Sequence, residues 1–168
     1  YDRKKGREMV ETARQVGFPL MAGSSLPVTW RRPELELPLG VPIREALVAS
    51  RGELEIFGIH ALESLQCMVE RRTPGQQGVK SVTCLEGDAV WKAGDSGAWS
   101  WDLLENAIGR SASRNVGDIR ENCRHFRPAT GNLKYVLSPV AFLIEYRDGL
   151  QATVLILNGH VDDTTFAA

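Results

Sequence analysis

The residues best suited to chemistry lie in one stretch, ELEIFGIHALESLQCMVERR, Glu53–Arg72. Placed on a helix, its span from Ile59 to Val69 sorts into two arcs. Ala61, Leu62, Leu65, Met68 and Val69 share one arc and are expected to face the rest of the domain. His60, Glu63, Cys67 and Glu70 share another, at spacings of three, four and three. Side chains three or four apart on a helix are neighbours, so Glu63 is placed to orient or charge His60. An imidazole beside a carboxylate suits proton transfer near neutral pH. An ordinary ion pair on a solvated helix face has the same spacing, and both readings stand. Glu53, Glu55 and Gly58 are read as lying just before the helix. There the acids complement the positive end of the helix dipole and the glycine permits a sharp approach.

A second set of candidates lies nearer the start. Asp2–Val16 carries Met9, Val10, Ala13 and Val16 at helical spacing, and Gly17 suits a helix stop. Phe18–Ala22 is a short apolar run that reads as a buried strand, so the two together form an αβ unit of a parallel sheet. Loops at the carboxyl ends of such strands bind ligands. The loop here is Gly23-Ser24-Ser25-Leu26-Pro27. Ser24 and Ser25 offer hydroxyls for a ligand. Trp30, Arg31 and Arg32 offer a stacking and anion-binding wall. A plain crossover stiffened by Pro27 and Pro33 has the same composition.

The elements that must position these groups fit a chain of 168 residues, enough for one domain with a real core. Hydrophobic residues make up 43% and charged residues 24%, as in ordinary globular proteins. A net charge of −1 gives no electrostatic case for nucleic acid or an anionic membrane. No apolar run is long enough to span a bilayer, and no leader is evident. Three cysteines, Cys67, Cys84 and Cys123, show no finger spacing, and their odd number predicts reduced thiols in a cytoplasm. The helical pattern at the first residues suggests that further sequence preceded Tyr1.

Pro33–Pro42, interrupted by prolines, is expected as an extended linker. Ile43–Ser50 fits a short helix or a strand. Thr73–Gly78 reads as a turn, Val79–Leu85 as a strand, Asp88–Trp91 as a second short strand, and Lys92–Ala98 as a loop. Trp99–Ile108 reads as a helix capped by Ser100 and closed by Gly109. Arg110–Lys134 is expected to be long and exposed, with Cys123 and His125 in it. Val140–Arg147 and Leu150–Leu157, separated by Asp148-Gly149, carry the two-residue hairpin signature. That loop length puts Phe142, Ile144, Leu155 and Leu157 on one face and Leu143, Val154 and Ile156 on the other. Both faces are apolar, which places the hairpin inside a sheet. His160, Asp162 and Asp163 have a spacing compatible with a metal, or form a polar tail after the last strand.

A helix of the form EMVETARQVG, the strand FPLMAG, a linker, a segment entering a helix with His-x-x-acid and then an antiparallel sheet resemble, in that order, the glucose–fructose oxidoreductase/inositol dehydrogenase family, and the segments MAGSSLPVTWRRP, GIHALESLQCMVERR, CLEGDAVW and FLIEYRDGL resemble more closely a bacterial subgroup related to it. The resemblance implies an α+β fold: an open, mainly antiparallel sheet packed against helices, preceded by a remnant αβ unit of a Rossmann-like domain. It implies boundaries at 1–23 for the nucleotide-binding tail, 24–42 for a linker, and 43–168 for a substrate-binding and oligomerisation domain. It favours a strand for Ile43–Ser50. It matches His60 to the family's substrate-site histidine and Glu63 to the acid that follows. The glycine-rich phosphate loop and the lysine–proline motif are absent from this sequence. Ile56 stands where the family has an acid four positions before the histidine, Glu55 being the nearest carboxylate. The expectation is therefore that this chain binds no cofactor itself, with NAD(P) implied only for a longer parent. The implied function is substrate binding and self-association in an NAD(P)-dependent sugar or polyol oxidoreductase. The partners are a sugar-like ligand and a second copy through the sheet. The alternative is a non-catalytic ligand-binding or dimerisation module.

Overall fold

The computed structural model describes residues 2–72, 78–124, 126 and 138–168. The turn expected at Thr73–Gly78 lies outside these residues apart from Gly78, as does His125. The described chain is α+β. Its strands are β1 (Glu45–Ser50), β2 (Val79–Glu86), β3 (Val140–Tyr146), β4 (Gln151–Ile156) and β5 (Thr165–Ala167). Its helices are α1 (Arg3–Val16), α2 (Leu54–Val69), α3 (Asp88–Asp95), α4 (Trp101–Ile108) and α5 (Ile119–Arg124). The strands form one open sheet in the order β2-β3-β4-β1-β5. Every pairing is antiparallel except β1 with β4.

The sheet is buried on both faces at its centre, because β1 and β4 are almost wholly apolar. Val48, Val154 and Ile156 meet Ala61, Leu65 and Val69 of α2 on one face. Leu47, Ala49 and Leu155 meet Val90, Trp99, Leu104 and Ile108 of the α3–α4 layer on the other. The arc of α2 expected to face the domain does so: Ala61, Leu65, Met68 and Val69 are buried and Leu62 partly so. The helix begins at Leu54, so Gly58 lies inside it and not before it. A Cβ at Gly58 would lie 3.2 Å from Leu54 Cδ1, so the small residue is accommodated by its own helix neighbour.

Two polar anchors fix the ends of α2. At its start, the Gly52 N–H donates to Asn158 Oδ1 (2.7 Å) and Asn158 Nδ2 donates back to the Gly52 carbonyl (3.2 Å). Gly52 has φ 104°, and a Cβ there would strike the Phe57 ring. Beyond the C-terminal end, buried Arg72 reaches Asp148 in the β3–β4 turn at 2.7 Å and lies 4.7 Å over the Tyr146 ring. The hydrogen bond from Arg72 holds the Asp148 carboxyl below its ordinary range.

Several expectations change. Phe18–Ala22 is not a strand, and Phe18 and Met21 are exposed at 51% and 94%. A lone apolar run with no strand beside it cannot satisfy its backbone in a sheet. α1 itself forms as read, capped by Asp2, whose Oδ1 accepts from Lys4 and Lys5 N–H, and stopped by Gly17 in the left-handed region. Asp88–Trp91 is the start of α3, not a strand, and the helix extends to Asp95 through the expected loop. Val90, Trp91 and Gly94 form its buried stripe. Gly94 leaves room for the Trp99 ring, which a Cβ would meet at 2.4 Å. Arg110–Lys134 is not uniformly exposed. Asp118 Oδ1 accepts from Arg120 and Glu121 N–H and starts α5, which buries Cys123. Burial pushes the Cys123 thiol up to about 12.

The hairpin lies inside the sheet as expected, but its loop has three residues, Arg147-Asp148-Gly149. The Tyr146 N–H donates to the Leu150 carbonyl at 3.0 Å, and Gly149 takes φ 91°. A three-residue loop closed by a left-handed glycine shifts the register by one, which exchanges faces. Val154 and Ile156 therefore join Phe142 and Ile144, and Leu155 joins Leu143. The residues after β4 are not a polar tail. His160 is buried at 1%, Asp162 pairs with Arg51 at 3.0 Å, and Asp163 accepts from Ser111 Oγ and the Ala112 N–H. The chain then adds β5 beside β1. No group of metal-ligating side chains occurs among the described residues.

Truncating the centre of this packing tests it directly. Leu65→Ala should lower unfolding free energy in urea by about 2–5 kcal/mol. A loss below about 1 kcal/mol would show that α2 is not seated on the sheet. His160 supplies a pH test. Burial, followed by the Arg114 charge, lowers its pKa from 6.5, with Glu105 and Asp118 opposing. The unfolded chain thus takes up the proton first, so stability should fall as pH drops from about 7 to 5.5. His160→Gln should flatten the urea midpoint over that interval, and an unchanged slope would refute the assignment.

Candidate functional site

The site is assembled by the segment 24–42, which is tied along the outer arc of α2. It has no regular structure beyond the short turn Leu26–Val28 and one bridge, Val41 with Arg72. Arg71 Nε donates to the Leu37 carbonyl, and the Gly40 N–H donates to the Arg71 carbonyl at 2.6 Å. Arg31 donates to the Leu35 and Pro27 carbonyls, pairs with Glu36 at 3.6 Å, and lies 3.9 Å from Cys67 Sγ. The expected linker is therefore a strap, held by side chains of α2 and its C-terminal turn.

His60 is half-buried beneath the beginning of this strap. Its Nδ1 lies 2.6 Å from Ser24 Oγ, a contact across 36 residues. Ser24 Oγ also accepts from the Leu26 N–H at 3.0 Å. With one lone pair so used, the hydroxyl proton is free to donate to Nδ1. That arrangement leaves the proton of a neutral imidazole on Nε2. The His60 carbonyl accepts from Ser64 Oγ at 2.7 Å, and the Phe57 ring lies 6.0 Å away, tilted. Glu63 makes no hydrogen bond to His60. Its carboxylate lies against Gly23, 3.8 Å from where a Cβ would stand. The orienting partner of the imidazole is thus Ser24, which the sequence placed in a different group. Ser25 is exposed and contributes its carbonyl to the short turn.

The second half of the strap walls a cleft of about 700 Å³. Trp30, Arg31 and Arg32 line it from the strap, Ser64, Cys67 and Met68 from α2, Asn106 and Arg110 from α4 and the turn after it, and Phe166 from β5. The wall expected of Trp30, Arg31 and Arg32 is therefore present. Ser24, Ser25, His60 and Glu63 do not line this cleft, which begins one helical turn further along α2. Among the described residues, the Arg32 and Arg110 guanidinium groups form no ion pair, while Arg31 is held by Glu36. Trp30 is 94% exposed, so its indole is unengaged. Arg110 is a lining residue that no local sequence pattern singles out. It follows the glycine that closes α4, and only the tertiary fold brings it into the cleft that Arg32 lines.

The family resemblance raises the question of a dinucleotide. β1, Arg51-Gly52 and α2 form a strand–turn–helix unit, the place where a pyrophosphate would sit. The residues do not fit it. Asn158 occupies the Gly52 amide, and Glu53 and Glu55 place negative charge at the helix start. Gly23-Ser24-Ser25 follows no strand and leads into a turn of three residues. No family model, curated protein or solved structure matches the chain. No helix among the described residues is long and apolar enough to cross a membrane.

The Ser24–His60 pair makes a spectroscopic prediction. At alkaline pH, long-range ¹⁵N–¹H spectra should show His60 as the Nε2–H tautomer, and Ser24→Ala should give a mixture of tautomers. A mixture in the unsubstituted protein would overturn the pairing.

Proposed function

We propose that this chain is the substrate-binding α+β unit of an oxidoreductase-like protein acting on a small, sugar-like compound that carries an anionic group. The observation that carries this reading is the cleft wall. Two guanidinium groups with no ion pair among the described residues, Arg32 and Arg110, face a cleft with an open indole, Trp30, and two carboxylates, Glu34 and Asp163, of which Asp163 is held by the Ser111 hydroxyl and the Ala112 N–H. Guanidinium groups select carboxylate or phosphate, and an indole face covers the C–H surface of a sugar ring. Apolar Leu26, Leu35 and Met68 add contact without competing for the charge.

In this reading His60 is the proton-transfer group and Ser24 holds its tautomer. A ligand anchored at Arg32 would need to extend one helical turn along α2 to reach it. Glu63 would add negative charge nearby. The oxidoreductase context rests on the resemblance of the four sequence segments, and no step through a nicotinamide is assigned to these residues. Self-association through the sheet belongs to the same proposal. It is supported by β2, which lies at the sheet edge, is exposed along nearly all its length, and carries Val82 at 56% exposure.

A second reading is favoured by one observation: His60 lies outside the cleft. A binding module without catalysis needs the wall and not the imidazole. Calorimetry with gluconate and glucose separates the possibilities. Gluconate should bind more tightly than glucose, and Arg32→Ala should weaken gluconate by about tenfold while leaving glucose unchanged. Equal binding of the two, or indifference to Arg32→Ala, would defeat the anion-binding assignment. His60→Gln should leave gluconate affinity unchanged under either reading. Under the first it should abolish turnover in a protein that carries the nucleotide-binding partner domain, and under the second it should change nothing.

A further inference from the structure

A second cavity, of about 610 Å³, lies on the other side of Leu103, which among the described residues is the one common to both clefts. Its floor is the amino ends of the parallel strands β1 and β4, and its wall is the turn between α3 and α4. Two indoles line it, Trp99 and Trp101. Trp99 is fixed, because its Nε1 donates to the Val90 carbonyl at 2.9 Å and its ring fills the space above Gly94. Trp101 tilts against Trp99 at 4.5 Å and stacks on Trp91 at 6.0 Å.

The polar lining is of one sign. Glu45 and Asp102 bring two carboxylates, and among the described residues no basic side chain lines the cavity. Glu45, Asp102 and the Gln151 amide form no ion pair or side-chain hydrogen bond among the described residues. Thr153 is only 7% exposed, yet its hydroxyl has no partner there and is not sealed from the cavity. A hydroxyl that reaches the cavity without a protein partner is free to bond a ligand group or water at this place. The tryptophan cluster already attracts one cation: the Arg120 guanidinium lies 5.2 Å over the Trp101 ring.

We infer that this cavity is a binding site for a small organic cation, a primary or quaternary ammonium compound bearing a hydroxyl. The ammonium group would lie between the carboxylates of Glu45 and Asp102 beside the indoles. The hydroxyl would bond Thr153 or the Gln151 amide. Unpaired carboxylates with an aromatic wall favour a cation over a neutral polyol, which gains nothing from the net negative charge. The inference is independent of the arginine-lined cleft, whose charge is opposite.

Tryptophan fluorescence of the whole chain tests it, with choline and ethanolamine as cationic probes and glycerol as the neutral one. Choline or ethanolamine should give a saturable change in emission, and glycerol none. Glu45→Gln and Asp102→Asn, both at exposed positions, should each weaken binding by about tenfold. Circular dichroism should show both variants folded. Thr153→Val, close in shape, should weaken ethanolamine while leaving tetramethylammonium, which has no hydroxyl, unaffected. A glycerol response equal to that of the cations, no saturation by either cation, or folded variants with unchanged affinity would overturn the inference. Arg32→Ala should leave choline binding unchanged, and a loss there would assign the signal to the other cleft.

Discussion

The seating of Ala61, Leu65 and Val69 on Val48, Val154 and Ile156 is the contact on which the site depends. A helix packed through one arc has no rotational freedom left, so the direction of every other side chain on it is settled. Once that arc is down, His60, Ser64 and Cys67 must face the strap. Beyond the Leu26–Val28 turn and the Val41–Arg72 bridge, the strap has no sheet or helix hydrogen bonds to hold it among the described residues. It takes its shape from Arg31, which bonds the strap's own carbonyls and reaches Cys67, and from Arg71 and the Ser24–His60 pair, which tie it to α2 and its C-terminal turn. The functional surface is thus a consequence of core packing, reached in two steps.

The polar anchors do a different job from the apolar seam. Burial of Leu65 and Val69 is tolerant of sliding along the helix axis, whereas a bidentate clamp is not. Asn158, which both accepts from and donates to Gly52, ties the start of α2 to the residue that follows β4. Arg72 ties the far end to the turn of the same hairpin through Asp148. The two anchors bracket β4, which with β1 is buried along all but its first residue. Such a buried pair adds little net stability after desolvation, and its value lies in fixing register. The Nη2 of Arg72 has no partner among the described residues, which is consistent with a group kept for placement.

How much of this was legible in the sequence follows from the range of the interactions concerned. The faces of α2, the caps of α1 and α4, and the interior position of the hairpin are set within four residues or by a simple alternation, and these were readable. Trp30, Arg31 and Arg32 were found together because they are consecutive. The hairpin register was missed because it depends on whether Arg147 belongs to the turn, and Asp148 is committed to Arg72, 76 residues away. Asp88–Trp91 is too short for its period to separate strand from helix, so α3 is not legible there, least of all with Gly94 inside it. Its presence is explained only by the Trp99 ring lying above it. The Ser24 partner of His60 was hidden by the same kind of separation. Asp118 before Ile119 and Glu121 is a local start signal for α5, set within three residues.

The two clefts differ in charge for a structural reason. α4 lies across the sheet with Leu103 between them, so residues at its amino end and at its carboxyl end face opposite sides. An acid in the first turn, Asp102, complements the positive end of the helix dipole, and a base after the last turn, Arg110, complements the negative end. Helix stability alone therefore pushes the amino-end cleft toward negative charge and the carboxyl-end cleft toward positive. Glu45 and Arg32, which come from unrelated parts of the chain, add to those signs instead of cancelling them. That agreement is not required by the dipole, since a neutral or opposite residue at either place would fold equally well. Reinforcement at both ends of one helix, by side chains left without ion-pair partners among the described residues, is the feature that a purely structural role for these clefts leaves unexplained.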